Sequence, residues 1–234
     1  MKNDSPERLP DSRITRFTAR ICKLFWRRRV LGQDNIDRSK AAVFTCNHGK
    51  ISGPVTAVIY LPVHFRPWIN GCMLDRKEAT DTMMKTFRDK FKFLGPKLKR
   101  RILYLVSGVI CHFLNSYKPV PVYKGQAKTI EQSVEALADG ENLLIFPEKP
   151  QDRYDKESYK DFNTGFAALG KAYYERTGLR LDFYPVWSDN KSHLFIIGEP
   201  ITFDPENEPR TEKQRISAAL MASMDDLRKA AGNN

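Results

Sequence analysis

Apolar residues fall along the chain in short blocks separated by polar turns, and the blocks differ in period. Ala41 to Cys46, Asn142 to Phe146 and Leu181 to Trp187 are nearly continuous apolar runs, too short for helices and bounded by turn residues. Such runs predict strands, the first of them buried. Phe65 to Ile69, Pro119 to Tyr123 and Leu194 to Gly198 predict further strands, with Asp189-Asn190 as a hairpin turn before the last of them. Helical spacing lies between the strands. Val55 to Leu61 follows Pro54, a favoured first-turn residue. Thr129 to Ala138 places Ile130, Val134 and Leu137 on one face and stops at Gly140. Thr164 to Thr177 carries a face of Gly165, Ala167, Ala168 and Gly170, and Gly178 ends it. Thr211 to Ala230 aligns Ile216, Leu220 and Leu227. Met73 to Glu78 reads as a loop, and Ala79 to Phe93 scatters apolar residues irregularly among lysines and arginines. Strand, helix and strand in succession imply parallel strands joined by right-handed crossovers. The expected fold is a single α/β domain with a mixed, mostly parallel central sheet flanked by helices.

Two stretches do not fit that alternation. Ile14, Phe17, Ile21, Leu24 and Phe25 recur at helical spacing, while Arg13, Arg16, Arg20, Lys23 and Arg27 fall mostly on the other side. This predicts a basic amphipathic helix, stopped by Gly32, that suits either a membrane interface or packing on the domain with its arginines in water. Residues 1–34 are therefore expected to form an N-terminal basic segment and 35–234 the α/β domain. The second stretch, Ile102 to Leu114, is apolar and follows Lys97, Lys99, Arg100 and Arg101. It is shorter than the roughly 20 residues a bilayer-spanning helix needs, which leaves a buried core helix or an interfacial one. His112 within it reads as a core or interface residue.

Composition changes the picture in one respect. A chain of 234 residues with 41% hydrophobic and 29% charged content is ordinary for one globular domain. The net charge of +11 is not. Residues 1–40 carry 11 basic and 5 acidic groups, and residues 76–101 carry 10 basic and 3 acidic groups. A localised excess of this kind implies an anionic partner: a membrane surface, a phosphorylated substrate or nucleic acid. No helix-turn-helix, RNP or zinc-finger spacing supports nucleic acid, and no phosphate-binding loop is present. Cys22, Cys46, Cys72 and Cys111 show no CxxC pairing and no metal-ligand spacing. Together with a polar N-terminus, they suggest reduced thiols in a cytosolic compartment. No metal or cofactor is expected.

The candidate chemistry lies where apolar runs end. Val43-Phe44-Thr45-Cys46 is followed by Asn47-His48-Gly49, so His48 is expected at the carboxyl end of a buried strand, the edge at which open α/β sheets bind ligands. An imidazole there is suited to proton transfer near neutral pH. Cys46, two residues before it, reads as strand packing in preference to a Cys–His dyad. A second apolar strand ends in Phe146-Pro147-Glu148. No Gly-x-Ser-x-Gly elbow occurs, so a serine acyl-enzyme is not suggested.

Taken together, Asn47-His48 after one strand, Val120-Pro121-Val122-Tyr123-Lys124, Phe146-Pro147-Glu148 and Phe183-Tyr184-Pro185-Val186 resemble, in order and spacing, the four motifs of the glycerolipid (lysophospholipid) acyltransferase family. The likeness spans residues 41–204. The chain departs from the family pattern at three places. Gly53 stands where the Asp of His-x4-Asp would fall, Lys124 replaces an arginine, and Lys149-Pro150-Gln151 replaces Gly-Thr-Arg.

The resemblance implies acyl transfer from acyl-CoA or acyl carrier protein, as co-substrate, to a lysophospholipid-type hydroxyl. His48 would act as general base, and Glu148, the second catalytic residue, would lie in the same pocket and organise the acceptor end. Asn47, Gly53, Lys124 and Lys149 would line the substrate site, with Lys124 meeting an acceptor phosphate as a point charge. The basic stretch 12–29 and the 76–101 cluster, for their part, predict peripheral attachment to the inner, cytoplasmic face of an anionic membrane. The alternative is a catalytically degenerate lipid- or membrane-binding protein on the same scaffold, which the departures favour.

Overall fold

A computed structural model describes residues 23, 26–49, 52–88, 95–123, 127–148 and 162–232. The strands are β1 (Arg29–Leu31), β2 (Ala42–Cys46), β3 (Phe65–Asn70), β4 (Val120–Val122), β5 (Asn142–Ile145), β6 (Asp182–Asp189), β7 (Leu194–Ile197) and β8 (Ile201–Thr202). The helices are α1 (Ser52–Tyr60), α2 (Arg76–Thr86), α3 (Pro96–Asn115), α4 (Ala127–Ala138), α5 (Ala168–Thr177) and α6 (Pro209–Gly232). The strands form one sheet in the order β1-β7-β6-β2-β5-β3-β4, with β8 also on β6. β6, β2, β5, β3 and β4 run parallel, whereas β7 and β8 pair antiparallel with β6. The single α/β domain expected from the periodicities is thus observed.

Two apolar layers hold the sheet. Val43, Leu143, Ile145, Leu181, Phe183 and Trp187 point to one face, where Leu137 of α4, Leu169 of α5 and Ile216, Leu220 and Met224 of α6 cover them. Ala42, Phe44, Cys46, Leu144, Tyr184 and Val186 point to the other, under Ala57 of α1, Leu61 and Tyr117. β2 is buried on both sides because it lies mid-sheet between β5 and β6, which is why its sequence does not alternate.

The crossovers locate a crevice. From β2 the chain leaves through α1 on one face to reach β3. From the neighbouring β5 it leaves through α5 on the opposite face to reach β6. Adjacent strands whose connections part to opposite faces open a gap outside their carboxyl ends, the place where such sheets bind ligands.

Three local expectations are corrected. The basic amphipathic helix expected up to Gly32 lies mostly outside the described residues; within them Lys23 is helical, but Arg29–Leu31 is a strand parallel to β7, so the helix does not extend to Gly32. Met73 to Glu78 is not a loop throughout. α2 begins at Arg76 because Asp75 caps it, its Oδ1 accepting from the N–H groups of Lys77 and Glu78 at 2.9 Å each. The apolar run from Ile102 is extended backwards by a charged turn, since Pro96 occupies the first helical turn after Gly95.

Candidate active site

His48 comes two residues after the end of β2 and Glu148 three after the end of β5, and β2 and β5 are direct neighbours, with Thr45 beside Ile145. The two residues therefore face each other across the crevice although 100 positions separate them. The backbone N–H of His48 donates to Oε1 of Glu148 at 2.9 Å. The ring of Phe146 meets the imidazole edge to face, with centroids 5.6 Å apart and planes at 77°. His48 is half-buried, and Glu148 is only 9% exposed. Among the described residues, Oε2 of Glu148 is buried without a hydrogen-bond partner. Burial raises the Glu148 pKa above the usual carboxylate value, and the hydrogen bond from His48 partly offsets this.

On the other side of β2, Asn47 ties the His48 turn to β6. Its Nδ2 donates to the carbonyl of Ser188 at 3.1 Å and its Oδ1 accepts from the N–H of Ser188 at 2.7 Å. This is the pairing a further strand residue would make, so the side-chain amide prolongs the β2–β6 ladder past the last regular pair. Asn47 is buried. The hydroxyl of Ser188 is also buried without a partner among the described residues. Sequence reasoning did not single out Ser188. Its only signal is a polar residue near the end of a long apolar strand.

The turn after His48 is closed tightly. Gly49 has φ +48°, in the left-handed region. Ser52 Oγ donates to the Gly49 carbonyl at 2.8 Å and receives Nδ2 of Asn190, from the β6–β7 turn, at 2.7 Å. Gly53 N–H donates to the His48 carbonyl at 3.2 Å. A Cβ at Gly53 would collide with the carbonyl oxygens of Asn47 and His48. The residue is thus set by close backbone approach, and its position leaves no room for the aspartate of the family pattern.

Cys46 is fully buried, its Sγ is within 3.5 Å of the Asn47 carbonyl, and burial drives its pKa well up. It is a packing residue, not a nucleophile. Lys124 and Lys149 lie outside the described residues. Phe162 bridges antiparallel to Glu148, and Asn163 N–H donates to the Pro147 carbonyl at 2.7 Å.

The crystal structure of the 1-acyl-sn-glycerophosphate (LPA) acyltransferase PlsC from Thermotoga maritima superposes with a TM-score of 0.50 over 92% of this chain and 78% of that one, at 12% sequence identity. The fold is PlsC-like. No model of a known sequence family matches the chain, and no curated protein matches it either. At this identity the likeness concerns the fold alone.

Proposed function

We propose that the chain is an acyltransferase that moves a fatty acyl group from acyl-CoA or acyl carrier protein to a hydroxyl of a glycerolipid-type, lysophospholipid acceptor. The observation that carries this reading is the meeting of His48 and Glu148 at the switch point, one on each strand bordering the crevice. In the reaction, His48 takes the proton of the acceptor hydroxyl as its oxygen attacks the thioester carbonyl carbon. The resulting oxyanion collapses, the C–S bond breaks, and the imidazolium returns a proton to the leaving thiolate. Glu148 acts as a positioning residue: by accepting from the His48 backbone it holds the base at the mouth of the crevice. Its second oxygen and the Ser188 hydroxyl, both buried and without partners among the described residues, are the groups suited to receive a polar acceptor.

In this reading Lys124 and Lys149 meet the acceptor headgroup, and replacement of the family arginines by Lys124 and Gln151 weakens bidentate phosphate recognition. A weakly held phosphorylated acceptor, or one without a phosphomonoester, follows. The chain attaches peripherally to the anionic inner face of a membrane through the basic residues of 12–29 and 76–101. Among the described residues no helix is long and apolar enough to cross a membrane.

One observation favours a second reading. Gly53 supplies no carboxylate to orient the imidazole, and loss of the corresponding orienter in a serine-protease triad costs about 10⁴ in rate. A lipid-binding protein that has lost catalysis fits that departure. Incubation of the purified chain with labelled acyl-CoA and a panel of lysophospholipids separates the two. Slow transfer that disappears in His48→Ala supports the enzyme. Transfer undiminished in His48→Ala removes His48 as base. Lipid binding with no transfer to any acceptor establishes the second reading.

A further inference from the structure

Helix α3 is built inside out. Its inward face, which packs on α2, is made of Lys99, Leu103, Ser107 and Cys111. Three of these four are tied down by polar contacts. Lys99 Nζ donates to the carbonyls of Phe87 and Arg88 at the end of α2. Ser107 Oγ shares a hydrogen bond with Thr80 Oγ1 at 2.7 Å, and Cys111 Sγ donates to the Met73 carbonyl at 3.3 Å. Gly108 lies against the Arg76 guanidinium, which also stacks on Tyr104 at 3.8 Å.

The apolar face points outward. Leu98, Ile102, Leu105 and Val109 recur at steps of four, three and four, which is one stripe of an α-helix about 16 Å long. All four are exposed, Leu105 at 61% and Val109 at 72%, and exposed Val106 widens the stripe. A soluble helix normally buries this face and leaves its polar one to water. Contiguous exposure of this kind marks an interaction surface.

Charge selects the occupant. α3 carries no acidic residue, and residues 76–101 have seven more basic than acidic groups. Of its four basic residues Lys99 is turned inward and Arg100 pairs with Asp81 of α2 at 2.9 Å, which leaves the exposed Lys97 and Arg101 beside the stripe. Arg101 and His112 flank the stripe along one side, as headgroup-facing residues do on an interfacial helix. A second copy of the chain seated on the stripe would bring two such basic segments together, which disfavours self-association. The helix pair is rooted at the carboxyl end of β3, with Asn115 Nδ2 donating to the Leu74 carbonyl at 3.1 Å, so it rises from the edge of the sheet that carries His48 and Glu148.

We propose that the outward stripe of α3 docks flat on an anionic lipid bilayer, with Leu98, Ile102, Leu105 and Val109 in the acyl region and Lys97 and Arg101 at the headgroups. For its purpose this rests on the lipid-acyltransferase reading, since it brings the crevice to a surface that holds the acceptor. Its geometry is independent of catalysis. It also goes beyond electrostatic attachment by assigning the apolar part of the contact.

The test is co-sedimentation of the full chain with vesicles of phosphatidylcholine, alone or with one quarter phosphatidylglycerol. The wild type is expected to bind the anionic vesicles. The double variant Leu105→Asp/Val109→Asp is expected to bind at least tenfold more weakly, with unchanged circular dichroism and melting. Should that variant fail to fold, Leu105→Trp gives a second readout: its emission shifts to the blue with anionic vesicles and not with neutral ones. Undiminished binding by a folded double variant, or no blue shift, overturns the proposal. So does a wild type that elutes as a dimer and becomes monomeric in the double variant, since a second copy then covers the stripe. Vesicle binding with no acyl transfer leaves the docking face standing and removes the catalytic reading. Acyl transfer without vesicle binding does the reverse.

Discussion

Glu148 sits under two opposed influences, and their balance can be measured. Burial favours its neutral form, and the N–H of His48 favours its charged form, with burial the larger effect. The folded-state pKa therefore lies above the unfolded one. The unfolded chain releases this proton first, so the contribution to stability is fullest below the ordinary glutamate range. It declines as pH rises from about 4, the unfolded value, to the folded one. Thermal melts of wild type and Glu148→Gln across this range are expected to diverge, the variant lacking that decline while its amide oxygen still accepts from His48. Glu148→Ala, which removes the acceptor altogether, is expected to cost about 1–3 kcal/mol in urea denaturation. At Gly53 the expectation is equally direct. Gly53→Ala and Gly53→Asp force a Cβ onto the Asn47 and His48 carbonyls and are expected to cost about 1–3 kcal/mol or more. An aspartate that restored activity without loss of stability would show that the turn can open.

At the scale of elements, the site depends on how far the central ladder extends. β2 and β6 end their regular pairing at Cys46 and Val186, and Asn47 carries the pairing on to Ser188. Asn47→Ala leaves one buried N–H and one buried C=O of Ser188 without their partner. It is expected to destabilise by about 2–4 kcal/mol, read as a lower urea midpoint at constant m-value. Acyl transfer should fall as well, because the His48 turn loses its hold on β6. A milder effect of Asn47→Ala on stability than of Leu144→Ala is also expected, since Leu144 is fully buried under α1 and its truncation opens a cavity.

Across the whole molecule, stability should be uneven. β2, β5 and β6 are buried on both faces, whereas the α2–α3 pair buries only a few apolar residues, Ala79, Met83 and Leu103, beside its polar contacts and presents its apolar stripe outward. Hydrogen exchange of the free chain is expected to be slowest in β2 and its neighbours and markedly faster in α2 and α3. Comparable protection in the hairpin would show that its exposed face is covered in solution.

Within residues 41–230, the sequence by itself determined the alternation of strands and helices and the buried state of β2. It also placed His48 and Glu148 at strand ends. Those features are local: a continuous apolar run of strand length can be satisfied only with both faces covered, and polar turn residues must follow it. β1 and β8 were not legible, being two or three residues long and defined by a partner rather than by a period. The start of α2 was legible in principle, since Asp75 and Glu78 have capping-box spacing, but its first turn is all polar. Only the tertiary structure decided that β2 and β5 are neighbours whose crossovers part to opposite faces, which is what brings His48 to Glu148. It alone showed that Asn47 grips β6, that Gly53 is required by a backbone contact, and that the apolar side of α3 faces out. Each of these depends on which residue lies across a gap, and strand order and helix orientation are set by long-range packing that no single segment encodes.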